Sequence, residues 1–179
     1  MTQIEEMNTV IREATGEDLD RLSLIASATF METFAGEIAG DALIEHCNVQ
    51  HRPDYLAKLL AAGARAWLAE LDGTPIGYAL LNEPELEAAR EGDIELKKIY
   101  VLSRFHGTGL ARRLFDAALA GAQGRERLLL GVKEDNDRAI AFYTKVGFLP
   151  IAKRQFNVGG KLYDDTVFAK NLAETGMAG

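Results

Sequence analysis

From Val101 to Arg112 the chain reads Val-Leu-Ser-Arg-Phe-His-Gly-Thr-Gly-Leu-Ala-Arg: a strand end, a turn and the opening of a helix. The first turn of a helix carries backbone N–H groups with no intrahelical acceptor, together with the positive end of the helix dipole. Gly107 and Gly109 let a ligand approach that backbone closely. Such a turn holds phosphate or pyrophosphate, and Arg112 and Arg113 add positive charge. Taken alone, Gly-x-Gly is equally a loop that needs positive φ angles. The chain has no Gly-x-x-x-x-Gly-Lys-Ser/Thr and therefore no P-loop. A dinucleotide fingerprint is also excluded, because Arg112 stands where a third glycine would let helix pack on strand.

A second run lies one strand further on: Asn136-Asp-Arg-Ala139-Ile-Ala-Phe142-Tyr143-Thr-Lys145-Val-Gly147-Phe148. With both runs in view, the chain resembles the GNAT superfamily of acetyl-coenzyme A-dependent N-acetyltransferases. The family's Gln/Arg-x-x-Gly-x-Gly/Ala falls on His106, Gly107, Thr108, Gly109, Leu110 and Ala111, with His106 in place of the usual Gln or Arg. Its Asn-x-x-Ala-x-x-x-Tyr-x-x-x-Gly-Phe falls on Asn136 to Phe148. The likeness runs from Thr9 to about Leu172 and is most specific from Glu95 to Phe148. Within the superfamily, the runs Thr29 to Phe34, Glu95 to Val101 and Gly131 to Asn136, and the hairpin before Lys170-Asn-Leu172, resemble PaiA-type polyamine acetyltransferases.

The resemblance implies acetyl-coenzyme A as cosubstrate, no metal, and a primary amine of a small molecule as acceptor, attacking directly in a ternary complex. In the PaiA-type subgroup that amine is a polyamine, spermidine or spermine. Coenzyme contacts would come from Ile99, Tyr100 and Val101, from His106 through Arg112, and from Asn136, Ala139, Phe142, Tyr143 and Lys145. A homodimer is compatible with the family. Acetylation of a protein, peptide or antibiotic amine, or a silent acyl-coenzyme A-binding regulatory module, are the alternatives.

Acetyl transfer makes three demands. The departing coenzyme A sulfur needs a proton, and Tyr143, seven residues after Asn136 on nearly one helix face, is the candidate general acid; otherwise it packs with Phe142. The thioester carbonyl needs a hydrogen-bond donor as it gains charge, and the backbone of Ile99 and Val101 on a splayed strand edge would supply it. The amine, with a pKa near 10 like lysine, must lose a proton. Glu95 would accept it through water, or else simply pairs with Lys97, Lys98 or another basic group. Glu32, Glu37, Glu45 and Glu83 are candidates for an acidic lining around a cation. Lys145 either reaches the 3′-phosphate or is solvated, and His106 is a phosphate donor or a weak base.

Periodicity supplies the elements that position these groups. Asn8 to Glu13 reads as a strand, and Thr15 with Asp18 as a capping box. A helix follows with Leu19, Leu22, Ala26 and Phe30 at helical spacing, ended by Gly36 and Gly40. A second helical region, about Asp41 to Ala62 and interrupted near Pro53, would turn Leu43, Ile44, Tyr55, Leu56 and Leu59 inward. Strands follow at Arg65 to Leu71 and Pro75 to Leu81, joined by Asp72-Gly73, with a loop from Asn82 to Gly92. Next come a strand at Asp93 to Val101, a helix at Gly107 to Ala120, a strand at Arg125 to Lys133 and a helix at Asp137 to Val146. The hairpin Phe148 to Val158 and Leu162 to Phe168 turns at Gly159-Gly160, and 173–179 reads as a frayed tail. Trp67 and Tyr78 fall on strands as core or wall residues. The element order gives an α/β (α+β) class, and the resemblance implies the GNAT fold: a mixed, mostly antiparallel twisted sheet of about seven strands with four or five helices and splayed central strands. One domain spans 1–179, with its core at about 8–172.

The chain's 179 residues are 47% hydrophobic and 26% charged, the composition of a soluble globular protein. Net charge is −7, which speaks against nucleic acid as a partner. A polar, acidic start and no apolar run of membrane length give a cytoplasmic expectation. The single Cys47 rules out an internal disulfide. It lies between His46 and His51, but metal-ligand spacing is otherwise missing.

Overall fold

The computed structural model describes residues 8–173. In chain order the elements are β1 (Thr9–Glu13), α1 (Leu19–Phe34), α2 (Gly40–Gln50), α3 (Pro53–Ala61), β2 (Arg65–Leu71), β3 (Thr74–Asn82), β4 (Asp93–Val101), α4 (Leu110–Gly121), β5 (Arg127–Lys133), α5 (Asp137–Lys145), β6 (Leu149–Val158) and β7 (Lys161–Asn171). The strands form one sheet in the order β1-β2-β3-β4-β5-β7-β6. All neighbours run antiparallel except β4 and β5. The expected mixed sheet is therefore present, with seven strands and five helices among the described residues. Apart from Ala173, the tail read as frayed lies outside the described residues.

Each sheet face is covered because each helix carries one apolar stripe. Leu110, Leu114, Phe115 and Ala118 of α4 are buried on one face, together with Tyr143 and Phe148. Burying each of the larger side chains contributes about 1.5–3 kcal/mol. On the opposite face, Leu22 and Ile25 of α1 and Leu56 of α3 pack on Leu68, Tyr78 and Leu80. Phe30 and Phe34 meet Val158 and Tyr163 of the last hairpin. Among the described residues no helix is long and apolar enough to cross a membrane.

Three local readings change. Gly107 and Gly109 have φ of 78° and 84°, outside the helical region, so α4 begins at Leu110 rather than at Gly107. Ile44 and Tyr55 are 57% and 38% exposed; the break at Pro53 rotates the two helices independently, and a single inner face through both does not exist. Thr15 and Asp18 do form a capping box, on a short 3-10 turn that leads into α1.

The feature that matters most for a site is a fork at the centre of the sheet. β4 and β5 pair only from Asp93↔Arg127 to Glu95↔Leu129 and then part. Two observations explain the fork. At its base Arg127 Nη2 lies 2.6 Å from Asp93 Oδ2, and that carboxylate is fully buried. Just above, Leu80 opposes Lys98 while Leu81 opposes Leu96, so Lys97 is an extra residue that bends β4 away.

Candidate active site

Among the described residues, the fork leaves one edge of β4 without a strand partner. The Leu102 N–H bonds Ile76 O on β3. Backbone groups alternate between the two edges of a strand, so those of Tyr100 also face β3, while those of Ile99 and Val101 face the opening. The Val101 carbonyl is taken there: His106 Nε2 lies 2.8 Å from it. A carbonyl only accepts, so Nε2 carries the proton. The unusual His106 thus ties the glycine turn to the end of β4.

Gly107 and Gly109 follow. A Cβ at either would meet nothing within 4 Å, so both face open space. Among the described residues, the backbone N–H groups from Gly107 to Arg112 have no acceptor, and Gly109 is the N-cap of α4 without a capping side chain. Unused donors, open approach and a helix N-terminus suit a phosphate-bearing ligand. The arginines behave differently. Arg113 is turned away to Thr9, with Nη1 2.6 Å from its hydroxyl. Arg112 binds Asp116 at 2.9 Å, its guanidinium 5.9 Å from the Phe142 ring centre.

Helix α5 closes the other side of the opening. Asn136 is its N-cap, Oδ1 accepting from the Ala139 N–H at 3.2 Å; it starts the helix rather than sharing a face with Tyr143 inside it. Ala139 and Phe142 pack against the α4-side core, and Lys145 is exposed. The Tyr143 ring sits edge-on to Phe115, Phe142 and Phe148. Burial, with a smaller effect of the nearby Tyr100, pushes its phenol up to about 12. Its hydroxyl has no hydrogen-bond partner among the described residues.

On the sheet face under α1, α2 and α3 lies a pocket of about 230 Å³, lined by Glu95, Lys97, Lys98 and Arg154 beside Tyr78, Leu80 and residues of the helices. Glu95 is 4% exposed. Its Oε2 accepts the Glu85 N–H at 3.1 Å, and its Oε1 is 3.9 Å from Arg154 Nη1. The basic group beside it is therefore Arg154 rather than Lys97 or Lys98, within the pairing expected for it. Arg154 also binds Asp165 Oδ2 at 3.1 Å. Gly131 makes this possible, since a Cβ there would come within 2.7 Å of the guanidinium. Burial raises the Asp165 carboxyl, and its Oδ1 is buried without a partner.

None of Glu32, Glu37, Glu45 or Glu83 lines this pocket. Glu32 accepts from Ser103, Glu37 pairs with Lys161, and Glu83 with Arg125. His46 stacks on Phe30 at 4.0 Å and His51 lies 3.2 Å from Ser27 Oγ. Among the described residues no three His, Cys, Asp or Glu side chains converge as a metal would require. Sequence reasoning missed Arg154 and Asp165. The available signal was a pair of charges on strands of a terminal hairpin, at positions that a solvated strand face would also hold.

Comparison with known proteins settles the family. A model of the Acetyltransferase (GNAT) family matches residues 29–148, more than half of the chain. The chain belongs to the GNAT acetyltransferase family. As a GNAT protein it is an acetyl-coenzyme A-dependent N-acetyltransferase. An uncharacterized N-acetyltransferase of Mycobacterium tuberculosis is 34% identical over 158 residues, 87% of this chain and 98% of the relative. A shorter match, 34% over 94 residues, covers 51% of this chain and 58% of the N-alpha-acetyltransferase RimI of the same species. Two solved structures share the GNAT fold. PaiA N-acetyltransferase of Thermoplasma acidophilum with coenzyme A has a TM-score of 0.71 at 20% identity, covering 92% of this chain and 99% of that one. YncA of Salmonella typhimurium with acetyl-coenzyme A has a TM-score of 0.71 at 22%, covering 96% and 98%.

Proposed function

We propose that this GNAT protein acetylates a primary amine of a small molecule, with amine and acetyl-coenzyme A bound together and the amine attacking directly. The observation that carries this reading is the fork. It sets an unpaired β4 edge, a turn rich in free N–H donors and the buried Tyr143 around one opening, with a pocket of about 230 Å³ on the adjoining sheet face. That volume suits a small acceptor better than a folded protein surface.

In this reading acetyl-coenzyme A supplies the activated acyl group. The N–H groups from Gly107 to Arg112 hold its pyrophosphate, and Lys145 reaches toward its 3′-phosphate. The Ile99 and Val101 backbones, with Tyr100 between them, hold the pantetheine arm, and their N–H groups face the carbonyl. Asn136, Ala139 and Phe142 set α5 and the ring wall on which Tyr143 is carried. Tyr143 offers its hydroxyl proton to the departing sulfur, and Glu95 takes the amine's proton through water. Lys98 and Arg154 assist, because a substrate ammonium beside them is destabilised and loses its proton more readily.

A polyamine acceptor fits less well. Glu85 and Glu95, the carboxylates of the lining, are already engaged with Lys97, Arg154 and a backbone N–H, which leaves little for a second ammonium. The test is free-thiol release from acetyl-coenzyme A by purified protein across small amines, polyamines and peptides. Turnover on small amines supports the reading. Turnover on peptides alone shifts the acceptor to polypeptide, and tight coenzyme binding without turnover on any acceptor makes the chain a binding module.

A further inference from the structure

The charges around the acceptor pocket are unevenly paired. Its lining holds Lys97, Lys98 and Arg154 against Glu85 and Glu95. Lys97 Nζ is 2.9 Å from Glu85 Oε2. Arg154 is held by Asp165 at 3.1 Å and approached by Glu95 at 3.9 Å. Among the described residues, Lys98 has neither a hydrogen bond nor an ion pair.

The setting of Lys98 makes this costly. It opposes Leu80 on the face that packs under α1 and α3. Burial first, and then Arg154 and Lys97, disfavour its ammonium, with Glu95 opposing weakly. On the helical side, His46 and His51 are close enough for Lys98 to act on both. Burial lowers both, His51 to about 4, and Lys98 contributes to each. Neutral imidazoles supply no counter-charge. A half-buried ammonium without a counter-ion is expensive and is stabilised by any anion brought to it.

Building on the proposed function, we infer that the acceptor is an amine that also carries an anionic group, a carboxylate or a phosphate-type acid, and that Lys98 binds that group. Lys98, the cation of the lining without a partner among the described residues, rewards one negative charge on the substrate and penalises a second positive one beside it. The anion on Lys98 leaves the amine end near Arg154 and Glu95, where it is pressed toward its neutral, nucleophilic form. Lys98 is thus a specificity-determining residue of the acceptor site.

Acceptors of matched length separate the possibilities: 4-aminobutyrate, n-butylamine, 1,4-diaminobutane and 3-aminopropylphosphonate, with glycine and spermidine at the extremes. The expected result is a higher kcat/KM for the acid-bearing amines than for neutral or doubly cationic ones. The carboxylate and phosphonate arms tell which acid is preferred. Lys98→Met should lower the ratio of acid-bearing to neutral acceptor by about 10- to 100-fold, the size of a charge-assisted hydrogen bond, while Lys98→Arg keeps most of it. Preference for n-butylamine or 1,4-diaminobutane, or a ratio unmoved in Lys98→Met, overturns the inference and leaves acetyl transfer standing. If no amine turns over, the proposed function fails. The inference is then judged by thermal-shift titration of the coenzyme A-loaded protein with 4-aminobutyrate and 3-aminopropylphosphonate. Saturable stabilisation in the wild type that Lys98→Met abolishes supports it, and no stabilisation overturns it.

Discussion

Replacing Tyr143 by Phe removes one oxygen from the opening and little else. The ring is enclosed by Phe115, Phe142 and Phe148, and its hydroxyl has no partner among the described residues. Packing is therefore retained, and the melting temperature should hold or rise slightly. The size of the catalytic loss follows from the phenol's environment. At about 12, Tyr143 stays protonated at any working pH. Handing that proton completely to a thiolate whose conjugate acid is near 8.5 costs about 5 kcal/mol. The hydroxyl thus acts mainly as a hydrogen-bond donor to sulfur as charge develops. A hydrogen bond to a charged group is worth about 1.5–3 kcal/mol, so kcat should fall by about 10- to 100-fold. The affinity for acetyl-coenzyme A should stay the same, because the donor matters most once the sulfur is charged. Thiol release under saturating substrates measures kcat, and calorimetry on the same protein measures the coenzyme. A high phenol pKa also predicts no loss of kcat from Tyr143 ionisation up to about pH 10. An unchanged kcat in Tyr143→Phe would refute the donor role. A fall accompanied by a lower melting temperature would assign the loss to packing.

The glycine turn gives two further expectations. Gly109→Asp forces a side chain onto a residue at φ 84°, costing about 1–2 kcal/mol, and sets a carboxylate beside the donors; the coenzyme A Kd should rise at least tenfold by calorimetry. His106→Ala removes the bond to Val101 O, worth about 0.5–1.5 kcal/mol, and should weaken coenzyme A several-fold, whereas His106→Gln, which keeps an N–H donor, should stay closer to the wild type. A last prediction concerns stability. Asp18, buried against Arg12 at 2.7 Å, is held at about 2, chiefly by that hydrogen bond. A depressed carboxyl stabilises the fold above its unfolded pKa, near 4, and the contribution disappears as pH falls from about 4 to about 2. Asp18→Asn should cost about 2 kcal/mol in denaturant unfolding at pH 7, and the gap between variant and wild type should close toward pH 2.

Much of the frame was readable because its signals are local. Asp72-Gly73 turns the β2–β3 hairpin with φ of 50° and 79°, which little but an Asp-Gly or Asn-Gly pair accepts readily. The limits of β4 coincide with those read from its sequence, since a buried strand bounded by turn residues leaves little choice. The glycine turn was readable as a helix opening with exposed donors, but not its internal wiring. That His106 closes onto Val101 O depends on the turn bending back over five residues, and a histidine in sequence does not announce its acceptor. The pocket beside Glu95 was least readable. Glu95, Lys98, Arg154 and Asp165 come from three strands far apart in the chain, and only the sheet order, with β7 inserted between β5 and β6, puts them on one face. The same distance misled the reading of Glu37 and Glu83. Their charge suggested a lining for a cation, while the fold gives each a basic partner outside the pocket.

A chain with a net charge of −7 invites the conclusion that its substrate is a cation. Two length scales separate that conclusion from the site. Surface charge acts through water and is screened beyond about 8 Å at physiological ionic strength, so it can enrich ammonium-bearing molecules near the protein without selecting among them. Inside the pocket the nearest charges dominate: Arg154 is answered by Asp165 and Glu95 and Lys97 by Glu85, while Lys98 has no partner among the described residues. A plain alkylamine gains from the outer field and is then only repelled. An amine with an acid group gains from both, since its acid meets Lys98 while Arg154 and the desolvated setting drive the proton from its nitrogen. The lysine that has no partner among the described residues, at a cost to the fold's stability, is thus the element that would distinguish acceptors. For that reason Lys98, outside both sequence motifs that reveal the family, is the residue on which acceptor choice should turn.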